Sequence, residues 1–251
     1  MLSRIIAANW KLNKNISETK VFLDSLIPMI NSSNKIEVII CPPHTSLQTA
    51  KSKLDGTNIQ LGAQNIYWEE KGNFTGEISA SMLTELCSHV IVGHSERRNL
   101  FSETDEMVNK KVKTAYKNDL IPIICVGEKL EEKEAGIASA IISKQVRKSL
   151  VGISSVPEDQ LIIAYEPVWA IGSGKSASPE ETNTLIRNVI RPTVSGLFGS
   201  NAAQKMRVLY GGSVNEKNIE TFLAESEIDG ALIGGASLNQ KIFAQIINLA
   251  E

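Results

Sequence analysis

Eight short apolar runs recur along the chain, at Arg4–Ala8, Glu37–Cys41, Ile59–Ala63, His89–Val92, Ile121–Val126, Leu161–Tyr165, Arg207–Tyr210 and Gly230–Ile233. Each is four to six residues long and mostly apolar at consecutive positions, which is how parallel strands covered on both faces read. Amphipathic stretches separate them. Ser102-Glu103-Thr104-Asp105 opens one, with a capping serine and an acid three residues on. Glu131–Leu150 and Pro179–Leu197 form two more, and Pro179 suits a first helical turn. Asn215 is expected to cap a helix running through Glu225, and Ser237 the last one. Strands alternating with helices predict a parallel α/β fold. An open doubly wound sheet usually carries about five or six strands, so eight favour a closed (β/α)8 barrel. No Pro/Gly/Ser-rich linker divides the 251 residues, and the expectation is one domain over residues 1–251.

In such a barrel, chemistry sits at the C-terminal ends of the strands. There the chain carries Asn9 and Lys11 after the first run, His94 after the fourth and Glu166 after the sixth. Gly211-Gly212-Ser213 follows the seventh and Gly234-Gly235 the eighth. Taken singly, each has a structural reading: a turn cap, a solvated lysine, a hydrogen-bonded histidine, half of a salt bridge, ordinary turn glycines. Occurring together at corresponding strand ends, they describe one site. Glycine pairs after strands seven and eight let backbone N–H groups approach an anion, the usual phosphate position of these barrels. A neutral imidazole and an ammonium stabilise negative charge developing on oxygen. A carboxylate opposite them can take a proton from carbon next to a carbonyl. The chemistry is enolisation of a small phosphorylated carbonyl compound, which needs no cofactor. His44, His89 and His94 lie on different segments, so no metal cluster is expected.

The stretch Gly172-Ser173-Gly174-Lys175-Ser176 resembles the end of a nucleotide-binding loop. Such a loop needs a second glycine five positions before the Gly of Gly-Lys-Ser, because both ends of the phosphate nest adopt glycine-only backbone angles. That position is Trp169. A nucleotide loop is therefore rejected.

Net charge is −2 with both signs interspersed, which provides no footprint for nucleic acid or an anionic membrane. No apolar segment reaches spanning length. The first residues, MLSRIIAANWKLNKN, lack a signal-peptide pattern. Cys41, Cys87 and Cys125 are odd in number and show no C-x-x-C spacing. A reduced, cytoplasmic protein is expected.

The segments AANWKLNK, GAQN, FTGEIS, VIVGHSERR, ICVGE, AYEPVWAIGSGKSA, YGGSV and LIGGAS, in this order, resemble the triosephosphate isomerase family over essentially the whole chain. The resemblance implies interconversion of D-glyceraldehyde 3-phosphate and dihydroxyacetone phosphate. It implies that Glu166 is the base and His94 the neutral electrophile, its pKa lowered by a helix N-terminus. Lys11 would face the phosphate and the enediolate, with Asn9 beside it. Gly172, Ser213, Gly234 and Gly235 would hold the phosphate. Glu96 would orient Lys11, and Cys125 would pack near the base. Pro167, Val168 and Trp169 would form one hinge of a lid and Lys175, Ser176 and Ala177 the other. Ala170, Ile171, Gly172, Ser173 and Gly174 would be its tip. Gln64, Asn65 and Thr75 would belong to a loop that enters a second subunit, giving a homodimer. Ser173 and Ser176 stand where threonine is common, and Tyr67, His44 and His89 are less typical.

Two other readings compete. A Schiff-base aldolase barrel needs a lysine within a late strand, and runs five to eight contain none. A non-catalytic binding barrel is disfavoured by the joint presence of Asn9, Lys11, His94 and Glu166.

Overall fold

The computed structural model describes residues 3–30, 36–157, 159–171 and 176–251. Eight parallel strands close into a barrel in sequence order. They are β1 (Arg4–Asn9), β2 (Ile36–Cys41), β3 (Gln60–Ala63), β4 (His89–Val92), β5 (Ile121–Val126), β6 (Ile162–Tyr165), β7 (Arg207–Tyr210) and β8 (Gly230–Ile233). Closure is made by β1, which pairs with β2 from Arg4 opposite Ile36 to Asn9 opposite Cys41, and with β8 from Ile5 opposite Gly230 to Ala8 opposite Ile233.

The apolar runs are continuous because each strand is buried twice. Ile5, Ala7, Ile39, Cys41, Ile91, Ile123, Cys125, Ile162, Ala164, Leu209 and Leu232 fill the barrel interior as one cluster. The alternate residues, among them Ile6, Ala8, Val38, Ile40, Val90 and Val92, join a second layer with Phe22, Val108, Ile142, Ile186 and Phe243 of the surrounding helices. Successive strand side chains point to opposite faces, so this split follows the period of two. At the N-terminal end of the barrel, Glu37 pairs with Arg207 and lies 3.2 Å from Nε2 of the buried His89.

The helices depart from expectation in four places. The helix Asp105–Lys117 is capped by Thr104, which accepts from Met107 N, while Ser102 stands outside it with φ +54°. Residues Leu130–Glu134 and Ala138–Leu150 are separate helices, because Gly136 turns at φ +71° and ends the first. The stretch from Pro179 to Phe198 contains a π turn at Ile186–Ile190, just ahead of Pro192, which has no N–H to donate and whose ring a tight turn cannot hold. Asn218 and Asn239, not Asn215 and Ser237, stand at the starts of Ile219–Leu223 and Gln240–Leu249. Asn215 instead accepts from Lys217 N, a local turn that competes with capping.

Candidate active site

Strand parity aims the site. Ile5 and Ala7 point into the barrel, and the next residue of that face is Asn9; Ile162 and Ala164 lead in the same way to Glu166. Both polar groups are buried at the C-terminal mouth, with Glu166 only 1% exposed. Asn9 Oδ1 accepts from Lys11 N at 3.1 Å, holding the turn that leaves β1. Lys11 there has φ +53°, a left-handed conformation a lysine enters at a cost of about 1 kcal/mol or more. Gln64 Nε2 donates to the carbonyls of Lys11 at 3.0 Å and Cys41 at 2.9 Å, fixing the strained residue from β3. The ammonium of Lys11 meets Glu96 Oε1 at 2.6 Å.

His94 caps the helix Ser95–Leu100, and its Nδ1 accepts from Glu96 N at 3.2 Å. A ring that accepts at Nδ1 carries its proton on Nε2 when neutral. That Nε2 lies 3.0 Å from Glu166 Oε1, while Glu166 Oε2 accepts from Ser95 N at 2.9 Å. Burial works against the charge on both partners. The opposite charge outweighs it in both, raising the pKa of His94 and lowering that of Glu166. The lowered His94 pKa expected from the helix N-terminus is therefore not found in this arrangement, because the glutamate faces the ring directly. The strand end bearing His94 is held by Glu103 Oε1, which accepts from Gly93 N at 3.0 Å, and by Arg98 Nε, which donates to Gly93 O at 2.7 Å. Glu103 in turn pairs with Arg97 and with the buried Lys111.

A cavity of about 190 Å³ opens between these groups, lined by Asn9, Lys11, His94, Glu166 and Ile171. Leu232 and residues 211–214 and 234–236 complete the lining. Gly211 is required by proximity: a Cβ there would lie 2.8 Å from Glu166 Cγ. Gly234 lies so close to Lys11 that a Cβ would meet its Cε at 3.3 Å, which puts the ammonium beside the glycine cradle. Ser237 Oγ donates to Gly234 O at 2.7 Å and so shapes that cradle instead of capping a helix. Asn218 Nδ2 donates to Ser213 O at 3.0 Å and shapes the other. Cys125 is fully buried next to Glu166, and burial pushes its thiol far up. Among the described residues no group of His, Cys, Asp or Glu could hold a metal ion, and no helix is long and apolar enough to cross a membrane.

The segment after Glu166 is tied to Glu128, a residue the sequence reading did not single out although it closes the motif ICVGE. Glu128 Oε1 accepts from Trp169 Nε1 at 2.8 Å and from Tyr165 Oη at 3.2 Å, and its carbonyl accepts from Val168 N at 3.1 Å. Ala177 N donates to Tyr210 Oη at 3.1 Å. Gly172, Ser173, Gly174 and Lys175 lie outside the described residues. Asn65 is drawn inward, its Oδ1 accepting from Lys111 Nζ at 2.7 Å, whereas Thr75 is exposed and away from the cavity.

A family model described as Triosephosphate isomerase matches residues 4–250. The triosephosphate isomerase of Dictyoglomus thermophilum is 51% identical over 248 residues, covering 98% of this chain and 99% of the relative. That of Caldanaerobacter subterraneus subsp. tengcongensis is 50% identical, covering 97% and 98%. That of Clostridium tetani is 49% identical, covering 97% and 95%.

Proposed function

The chain belongs to the triosephosphate isomerase family, and from that membership we propose how its residues carry the reaction. The reaction is the reversible isomerisation of D-glyceraldehyde 3-phosphate and dihydroxyacetone phosphate, an intramolecular aldose–ketose exchange that serves glycolysis and gluconeogenesis. Glu166 removes the proton from the carbon next to the carbonyl. The electron pair moves onto the carbonyl oxygen, giving an enediolate. His94, neutral once substrate separates it from Glu166, donates from Nε2 to that oxygen, and it takes the proton of the neighbouring hydroxyl as Glu166 returns its own to the adjacent carbon. The exchange is redox-neutral and uses no cofactor. Lys11 and Asn9 face the developing negative charge. Gly172, Ser213, Gly234 and Gly235 hold the phosphate through backbone groups.

The observation that carries this reading is one cavity lined at once by the carboxylate, the imidazole, the ammonium and two glycine cradles. Its volume of about 190 Å³ suits a three-carbon phosphate. The segment from Pro167 to Ala177 acts as a lid, with its described ends anchored on Glu128 and Tyr210. Closing it keeps water from the enediolate, which in the open would expel its phosphate. The protein works as a cytoplasmic homodimer. Support comes from the exposed Leu12 and Phe101 lining a groove of about 560 Å³ that reaches Lys11 and Gln64, into which the Thr75 loop of a second copy would fit.

The test is isomerase activity on glyceraldehyde 3-phosphate for the wild type and Glu166→Gln side by side. The wild type is expected to be fast and the variant slower by several orders of magnitude. Equal activities would remove Glu166 from the role of base, and a folded but inactive wild type would favour a binding barrel.

A further inference from the structure

The ammonium of Lys133 stands 3.8 Å from the ring centroid of Trp169. It projects from the short helix Leu130–Glu134, which follows β5, onto the first residues after the base. The same ammonium is 3.7 Å from Glu181 Oε2, on the helix that begins at Pro179 beyond the far end of the lid. Trp169 is thus gripped twice. Glu128 holds the indole N–H at 2.8 Å, and Lys133 covers the ring face. A cation over an indole is the strongest of the cation–π pairings.

This grip matters because Glu166 cannot act where it rests. Its carboxylate is bonded to His94 Nε2 and to Ser95 N, and His94 Nε2 is the group that must face the substrate oxygen. Glu166 has to leave that position, and only two residues separate it from Trp169. Any force that holds Trp169 therefore resists the change that the substrate must drive. We propose that Lys133 is a positioning residue of the isomerase, whose ammonium over Trp169, braced by Glu181, holds the base-bearing segment in its resting arrangement. The inference rests on the lid and base assignments made above. Substrate binding does the work of breaking the grip, so part of its binding free energy is withheld from affinity.

The contact predicts the sign of the effect. Removing the cation weakens the resting arrangement only, so phosphorylated ligands bind more tightly without any new contact. Lys133→Met keeps the length of the stem and removes the charge, whereas Lys133→Arg keeps a cation that stacks on the ring. Three quantities are measured on the full-length protein. The first is kcat and KM on glyceraldehyde 3-phosphate. The second is the inhibition constant of 2-phosphoglycolate, whose carboxylate mimics the enediolate. The third is the indole N–H resonance of Trp169 in ligand-free protein, assigned with Trp169→Phe. Lys133→Met is expected to lower KM and the inhibition constant by roughly three- to fivefold, the range of a partly exposed cation–π contact. Its kcat is not raised, and its Trp169 resonance moves toward the ligand-bound position. Lys133→Arg remains at wild-type values. Unchanged or raised KM and inhibition constant in Lys133→Met overturn the proposal, as does Lys133→Arg behaving like Lys133→Met. An inactive wild type instead refutes the isomerase reading, and is recognised before any variant is made.

Discussion

Nε2 of His94 and Oε1 of Glu166 stand 3.0 Å apart, so the imidazole and the carboxylate that line the cavity are bonded to each other. Each is held by a different strand end, and Ser95 N completes the pair by donating to the second carboxylate oxygen. The contact satisfies both polar groups inside a buried pocket.

The pairing fixes a pH dependence. Burial disfavours the Glu166 carboxylate, but His94 beside it outweighs burial and holds its pKa below the ordinary glutamate value. On the proposed mechanism Glu166 acts ionised and His94 neutral, and the same contact raises the pKa of His94, so as pH falls the imidazole titrates before the carboxylate. Activity is lost through the raised His94 value, and the acid limb of kcat/KM, which reports the free enzyme, is expected above the range where a free histidine titrates. In His94→Gln no imidazole titrates, so the limb leaves that range. Coincident limbs in the two pH–rate profiles would show that His94 does not set the pKa.

Gly211→Ala adds a Cβ only 2.8 Å from Glu166 Cγ. The barrel can keep its strands, but the carboxylate must move. A shift of about 1 Å in a reacting group costs on the order of 100-fold in rate. Steady-state kinetics should show that loss in kcat, with circular dichroism and melting close to wild type. Retained kcat would mean that the carboxylate has room the structure does not display.

Gln64→Ala removes the donor shared by Lys11 O and Cys41 O. Lys11 is then free to leave φ +53°, and its ammonium drifts from the cradle. Chemical denaturation should show a loss of about 1–3 kcal/mol from the carbonyls left without a donor. KM should rise more than kcat falls.

Glu103→Gln leaves Lys111 buried without its anion; both side chains are almost fully enclosed. Breaking one half of such a pair costs about 3–5 kcal/mol. Burial raises the pKa of Glu103, but Lys111 and Arg97 outweigh it and the folded value is lowered. The stabilisation is therefore present above the ordinary glutamate range and disappears as pH falls through the lowered value. Urea titrations should separate wild type and variant widely at neutral pH and bring them together in acid. Parallel curves at both pH values would count against the ion pair.

Much of this site was legible in the residues. The eight strands are found within a residue of where the apolar runs put them, because strands buried on both faces leave no polar position to blur their edges. Asn9, Lys11, His94 and Glu166 stood out because polar groups directly after such runs are conspicuous. Helix starts were read less well: Ser102 and Asn215 look like caps in isolation, yet Thr104 and Asn218 stand nearer the first hydrogen-bonded turn. Gln64 and Glu128 act on groups far along the chain, at Lys11 and Trp169, and Glu103 on Gly93 ten residues before it. No spacing rule connects those partners, since the packing of strand ends and loops at the barrel mouth brings them together. The direction of the His94 shift escapes the sequence for the same reason: its sequence neighbours show the helix N-terminus but not Glu166.

The alternation along β1 and β6 that fills the barrel also aims Asn9 and Glu166 into its mouth. Core and chemistry thus share one reading frame. Deleting a single residue within β6 would turn Glu166 out toward the helices and, in the same stroke, invert the facing of the strand side chains between the deletion and the strand end. Such a lesion cannot spare the scaffold while silencing the site. Change in this protein is therefore channelled into substitutions and into the loops beyond the strand ends, where length can vary without turning a side chain over.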